Sequence, residues 1–383
     1  MTLVLLLNTI TCVSFFLLGL ISIANPSGLN TSANRWLGLF WFSAGCMLLN
    51  AIIYQAGAGP TYTQLIAFNE LTRFMIAPAL YVSVQYFTSP AKQLKEGTYL
   101  HFIPFALFFI YMASAVFASW NVVIINTPSV WSEILGLLMA VIIPAQLVVY
   151  WVLAWHKLNQ HQKDIRLTNS AVDRLDLKWL KLLLLGIAVM LLTWMFTTLV
   201  NVVWLPVYSA GIYLMGLMFA GYFMLAQKEV YPFEPLQLQE ISLVIAQSNE
   251  KSVKPRFNEE QSKQLQLRLN NLMLTEKFFL NNELSLPDLA EELALSTHDL
   301  SYLLNEVIGI SFFQYINTCR VEEAKRLMIS DEYKHLNILG IAYSAGFNSK
   351  TTFNTAFKKQ TGLSPSQYLQ ANKATNTKIV PTT

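Results

Sequence analysis

Gly309-Ile310-Ser311-Phe312-Phe313-Gln314-Tyr315 recurs as Gly362-Leu363-Ser364-Pro365-Ser366-Gln367-Tyr368, offset by 53 residues. Working back from that pair, Leu300 and Leu304 map onto Phe353 and Phe357 at the same offset, but Leu289-Ala290 maps onto Ile341-Ala342 at an offset of 52. One residue has been added to the second copy between those points. A pattern repeated in this way marks one supersecondary unit used twice.

The spacing inside each copy is helical. Ser285 reads as an N-cap, with Pro287 in the first turn and Asp288 three residues on. Leu286, Leu289, Ala290 and Leu293 form a buried face, and Ala294-Leu295-Ser296 a tight turn. Ser296 caps the next helix, with Asp299 completing a capping box. Leu300, Leu303, Leu304 and Val307 then fall at i, i+3, i+4 and i+7 and face inward. His298, Ser301, Tyr302 and Asn305 are left facing outward. A long helix from Ser311 to about Ile329 leads to the second copy. There Ile338, Ile341, Ala342 and Ala345 face inward, and Gly346 suits a left-handed stop. Asn348 or Ser349 caps a helix that buries Phe353, Ala356 and Phe357 and exposes Lys350, Thr351, Thr355 and Lys358. Upstream, Leu265, Leu269, Leu272 and Met273 stripe a further helix expected to end near Asn281-Asn282.

Two helices joined by a short turn, the second exposing polar side chains, make a helix-turn-helix, whose second helix fits a major groove. Two in tandem are far more specific than one. The stretch from Leu286 to Tyr368 resembles the DNA-binding domain of AraC-type transcription regulators, on Ile341-Ala342, Gly346-Phe347, Ser349, Phe353, Phe357-Lys358-Lys359, Gly362 and Pro365. The resemblance implies a seven-helix domain, 262–372, with double-stranded DNA as partner and recognition helices in successive major grooves. It places base-reading positions on His298, Ser301 and Tyr302 in the first unit and on Lys350, Thr351 and Thr355 in the second. Asn305 and Lys358 fall on phosphate-contacting positions, which set register more than sequence.

The charge balance departs from what phosphate binding favours. Residues 262–372 hold ten Lys/Arg and eleven Asp/Glu, and the first recognition helix has no Lys or Arg. Since phosphate neutralisation supplies most non-specific affinity, weak binding by an isolated domain is expected, with homodimerisation or tethering making up the deficit.

The chain before this region is of another kind. Overall 54% of residues are hydrophobic and 13% charged, with a mean hydropathy of +0.41. That average conceals seven windows, near 3–24, 36–57, 63–87, 99–120, 131–155, 179–204 and 207–227, each long enough for a ~30 Å hydrocarbon core. The first is read as a retained span, because no Lys or Arg precedes it and no cleavage site follows. With the N-terminus outside, inner connections carry Arg35, then Lys92 and Lys95, then Lys157, Lys163, Arg166, Arg174 and Lys178, then Lys228. The outer connections near 58–62, 121–130 and 205–206 carry none. The positive-inside rule then puts the C-terminal half in the cytoplasm, and the resemblance implies a bacterial inner membrane.

The expected organisation is all-α: a seven-helix transmembrane bundle over 1–227, a linker over 228–261, the DNA-binding domain over 262–372 and a disordered tail over 373–383. The two prolines of Val230-Tyr231-Pro232-Phe233-Glu234-Pro235 end the last span. The linker is the sole covalent path between bundle and domain, so coupling is expected to run through it; fully flexible, it would span about 30 Å.

Within the bundle, Glu70 and Arg73 lie at i and i+3 in the third span, where ionisable groups are costly unless paired and turned inward. Both a structural lock and a signal-sensing role fit them. Tyr54, Gln55, Asn69, Gln85, Gln146 and Asn201 add polar groups that either line a pocket or join helices. His101 reads as interfacial packing, and the scattered Cys12, Cys46 and Cys319 as buried small hydrophobes. The segment Pro78 to Pro90 with His101-Phe102-Ile103-Pro104-Phe105 resembles, less specifically, membrane-bound AraC-type regulators.

No phosphate loop, zinc-hydrolase spacing or nucleophile elbow is present, so neither enzyme activity nor a cofactor or metal is expected. The expected function is a membrane-embedded transcription regulator answering an unidentified signal, acting intact or after proteolytic release. The alternative is a transporter or channel with a regulatory C-terminal domain, against which stands the lack of an evident inverted repeat.

Overall fold

The computed structural model describes residues 3–90, 97–120, 129–170, 176–199, 205–225, 227, 238, 240–242, 244, 245 and 255–377. The helices are α1 (Leu3–Ala24), α2 (Thr31–Gln55), α3 (Thr63–Thr88), α4 (Ile103–Trp120), α5 (Ser129–Thr168), α6 (Lys178–Leu199) and α7 (Leu205–Leu225). They continue with α8 (Glu259–Asn271), α9 (Leu286–Glu292), α10 (Thr297–Tyr302), α11 (Phe312–Ile329), α12 (Ile338–Ser344), α13 (Lys350–Thr361) and α14 (Pro365–Thr377). Two compact units result: Met1–Gln160 with Leu177–Val230, and His161–Asp176 with Tyr231–Thr383. Most of the expected outer connection 121–130, Lys92, Lys95, Arg174, Asn201, most of the expected linker 228–261 and the end of the expected tail lie outside the described residues.

Among the described residues, six helices are long and apolar enough to cross a membrane: Leu3–Ala24, Thr31–Gln55, Thr63–Thr88, Ala140–Thr168, Lys178–Thr197 and Tyr208–Leu225. The expected window at 99–120 falls on a 3-10 turn, Thr98–Phe102, followed by α4. Its described apolar part, Thr98–Tyr111, is shorter than a span. α1 and α2 meet closely, since a Cβ on Gly38 would lie 2.9 Å from the Gly19 carbonyl oxygen. Small residues give membrane helices this approach. Asn34 and Gln227 exchange reciprocal 3.1 Å side-chain hydrogen bonds and so fix the start of α2 against the residues after α7.

α5 is longer than its apolar window. It has 40 residues against the 25 expected at 131–155, and at 1.5 Å per residue runs about 60 Å, twice a hydrocarbon core. The polar stretch from His156 to Thr168 stays helical because it lacks Gly and Pro and is rich in Lys, Leu, Gln and Arg, all good helix formers.

The second unit follows the repeat. α8 opens on a capping box between Asn258 and Gln261. It ends before Asn281: a π turn at Leu272–Glu276 runs into Lys277 in the left-handed conformation, and a 3-10 turn, Phe278–Leu280, follows. Two apolar cores form. One gathers Leu269, Leu286, Leu289, Leu300, Leu303, Leu304, Phe312 and Ile316, and the other Val321, Ala324, Leu327, Ile341, Ala342, Phe347, Phe353 and Phe357. α11 contributes to both.

Candidate nucleic-acid interface

The two helix-turn-helix units are built alike to the level of single hydrogen bonds. In the first turn the N–H groups of Ala294 and Leu295 donate to Glu291 and Ala290, and in the second those of Gly346 and Phe347 donate to Tyr343 and Ala342. Ala294 (φ 52°) and Gly346 (φ 88°) are the left-handed stops, 52 residues apart. The caps that follow, Ser296 and Ser349, are 53 apart. The added residue therefore sits between stop and cap: Leu295 alone separates them in the first unit, Phe347 and Asn348 in the second. Phe347 is 1% exposed and meets Phe353 edge-on at 5.1 Å, so the longer turn carries a core residue.

Capping follows the sequence with one change. Ser285 and Asp288 form the expected box, and Ser349, rather than Asn348, caps α13. Ser296 accepts from the Asp299 N–H at 3.1 Å. The Asp299 carboxylate accepts from the Ser296 hydroxyl and pairs with Arg256, instead of reaching back to the cap's N–H as expected.

The second helix of the second helix-turn-helix, α13, is open. Lys350, Thr351, Thr355 and Lys358 are all exposed on α13, while Phe353 and Phe357 on its other face are fully buried. Burying two phenylalanines contributes about 3–6 kcal/mol, enough to fix which face looks out. Ser349 and Gly362 close the helix at either end.

Its counterpart in the first helix-turn-helix, α10, is partly covered. His298, Ser301, Tyr302 and Asn305 are all half-buried. The Asn305 amide donates to the Ser301 hydroxyl at 3.2 Å. Phe257 packs edge-on against Tyr302 at 5.7 Å, Arg256 pairs with Asp299, and the Thr297 hydroxyl donates to Glu240. The His298 Nδ1 is buried with no partner among the described residues. Burial, seconded by the Arg256 charge and opposed by Asp299, holds its imidazole below the usual value. After α10 the helix widens into a π turn, Leu303–Ile308, and stops at Gly309 in the left-handed conformation. Leu303 and Leu304 remain fully buried and Val307 packs against the same core.

In the first unit, Glu70 and Arg73 form a 2.6 Å ion pair. Asn50 of α2 donates to the same Glu70 carboxylate at 2.8 Å and accepts from Asn69 at 2.8 Å. The pair is thus part of an α2–α3 tie. His101 bonds the Tyr150 hydroxyl at 2.9 Å and packs on Tyr81. Cys12 and Cys46 are buried and Cys319 half-buried. An apolar cavity of about 180 Å³, lined by Phe15, Trp41, Leu80, Leu147, Met190 and Tyr213 among others, lies within this unit. Sequence reading missed it, because its lining residues are those of any apolar span.

Residues 289–371 match the family model described as a helix-turn-helix domain. An uncharacterized HTH-type transcriptional regulator of Staphylococcus aureus (strain COL) is 37% identical over 89 residues, 23% of this chain and 11% of the relative. The melibiose operon regulatory protein of Escherichia coli (strain K12) is 35% identical over 85 residues, 22% of this chain and 27% of the relative. The chain thus spans about a tenth and about a quarter of the lengths of these relatives. No solved structure matches it. The C-terminal part is an AraC-type helix-turn-helix domain. Among the described residues it is preceded by six long apolar helices.

Proposed function

We propose that the chain is a membrane-embedded transcription regulator that reads double-stranded DNA with α13 and, in a second groove, with α10, and answers a signal perceived in the apolar bundle. The observation that carries this reading is the tandem of helix-turn-helix units with Lys350, Thr351, Thr355 and Lys358 exposed on α13, in a chain whose described residues also hold six span-length apolar helices. The relatives' printed names, an HTH-type transcriptional regulator and a melibiose operon regulatory protein, support the DNA-reading part.

Counting α4 as a seventh span sets the two ends of the bundle on opposite sides. The basic inner connections then favour an outside N-terminus and a cytoplasmic DNA domain. The bundle and the domain are taken to meet through a linker at 228–261. Signal perception is assigned to the bundle, with the Glu70–Arg73 pair and the apolar cavity as its candidate elements. A cavity of about 180 Å³ compares with the ~150 Å³ apolar void that binds benzene, so a small apolar signal suits it.

Genome-wide mapping of bound DNA tests the reading. Lys350→Ala and Thr355→Ala should each lower promoter occupancy at unchanged protein level; each lost base contact costs about 1–3 kcal/mol, roughly 5- to 150-fold. Unaltered occupancy in both would remove α13 as the reading helix.

A further inference from the structure

The stretch after Gln160 groups with the DNA-reading unit and not with the helices on either side of it. Ile165, Thr168, Asn169 and Ser170 are at most 3% exposed, although the sequence there is polar. Asn169 forms an antiparallel bridge with Ser285, the N-cap of α9. The Ser170 N–H and hydroxyl both donate to the Leu284 carbonyl, at 3.3 and 2.6 Å. Ile165 packs on Phe313 of α11, with the Arg166 guanidinium 5.9 Å from the same ring.

Arg320 ties these contacts to the rest of the unit. It is 1% exposed, and its guanidinium donates to the Phe279 and Asn281 carbonyls at 2.8 and 2.7 Å and to the Ser170 hydroxyl at 3.1 Å. It also lies 5.9 Å from the Phe347 ring, in the turn of the second unit. A buried guanidinium needs acceptors for its donors, and one of them comes from the segment that ends α5. One cation therefore touches the α5 end, the approach to α9 and the second turn.

We infer that the end of α5, residues 161–170, is a docked latch through which the bundle acts on the DNA-reading unit, in addition to any action through 228–261. This rests on the proposed regulatory role and names the surface that carries it. α5 is one helix from Ser129 to Thr168, so a shift or rotation along it is delivered at Asn169-Ser170, against the cap of the first helix-turn-helix and against Arg320. The surface formed by 281–285, Phe313 and Arg320 is the receiver, and its occupant is this chain's own α5 end.

Two measurements on the full-length membrane protein decide it. Arg166→Cys with Phe313→Cys, treated with a short bismaleimide and then cut at a protease site inserted at 248–254, should hold the DNA-reading fragment to the membrane half. With Cys12, Cys46 and Cys319 replaced by alanine throughout, the parent chain and the two variants carrying Arg166→Cys or Phe313→Cys alone should release it. Release from the double variant would overturn the docking, whatever the promoter data show. In a reporter assay, Ser170→Arg sets a bulky cation against Arg320 and should change output by about five-fold or more, the lower range of allosteric coupling, at wild-type membrane abundance. Ser170→Thr keeps the hydroxyl and should stay near wild type. Cross-linking with unchanged output in Ser170→Arg would overturn the coupling. Absence of any promoter bound by the wild-type chain would instead sink the DNA-reading proposal, and the latch's regulatory role with it.

Discussion

Gly346→Ala should destabilise the C-terminal unit by about 1–5 kcal/mol, from three contributions. Gly346 has φ +88°, and placing an L-residue in the left-handed region costs about 1–2 kcal/mol. The new methyl would lie 2.7 Å from the Phe279 carbonyl oxygen, 2.9 Å from the Leu280 Cα and 3.0 Å from the Leu280 carbonyl oxygen. All three are backbone atoms and cannot swing aside, so overpacking adds about 1–3 kcal/mol. Alanine's smaller unfolded-state entropy returns about 0.4–1 kcal/mol. Gly362 separates the steric part from the conformational one, because at φ +75° nothing lies within 4 Å of its added Cβ. Gly362→Ala should therefore cost only about 1 kcal/mol. The first unit offers the converse: Ala294 already sits at φ 52°, and Ala294→Gly should stabilise by up to about 1 kcal/mol. Pulse proteolysis in urea of the detergent-solubilised chain, read through a C-terminal tag, gives the unfolding free energies. Gly346→Ala and Gly362→Ala agreeing within about 0.5 kcal/mol, beyond the usual denatured-state error of a few tenths, would refute the contact argument.

Lys358→Ala should weaken binding evenly across sequences and lower the slope of log affinity against log salt by about 1; an unchanged slope would take Lys358 off the phosphate backbone. His298, held below its usual value by burial, is protonated later in the folded chain than in the unfolded one. Below an unfolded value of about 6.5 the unfolded chain therefore gains protons first, and stability falls as pH drops through that value towards the folded one. His298→Gln should flatten that slope in urea titrations near pH 7.5 and 5.5, and an equal slope in both proteins would exclude His298 as its source. Glu70→Gln should lower membrane abundance, because Glu70 accepts from both Asn50 and Arg73; normal abundance with altered reporter output would make the pair a sensor instead.

What the sequence exposed was whatever periodicity and local chemistry determine. The inward stripes of the repeat, the caps at Ser285 and Ser296, the stop at Gly346 and the open face of α13 all depend on residues within a turn or two of one another. The π turns at Leu272–Glu276 and Leu303–Ile308 carry no comparable mark, since widening a helix by one residue leaves its apolar spacing nearly intact. The cover over α10 was hidden for another reason: Glu240 and Arg256 are 57 and 43 residues from the partners they meet. The latch was hidden by its polarity. Thr168, Asn169 and Ser170 look like a solvated loop, and their burial follows from hydrogen bonds to a backbone carbonyl and to an arginine, 114 and 150 residues away.

Among the described elements α11 alone has residues in both cores: Phe312 and Ile316 belong to the first, and Val321, Ala324 and Leu327 to the second. Its 18 residues make a shaft of about 27 Å, with a helix-turn-helix head clamped at each end. A residue inserted midway, between Asn317 and Arg320, would advance the far head by only about 1.5 Å but swing it about 100° around the shaft. The copies can therefore drift in their turns, as the one extra residue between Gly346 and Ser349 shows, without altering their phase. Shaft length has no such freedom: the side chains on each head are open to change, and the angle between the heads is set by a count of residues.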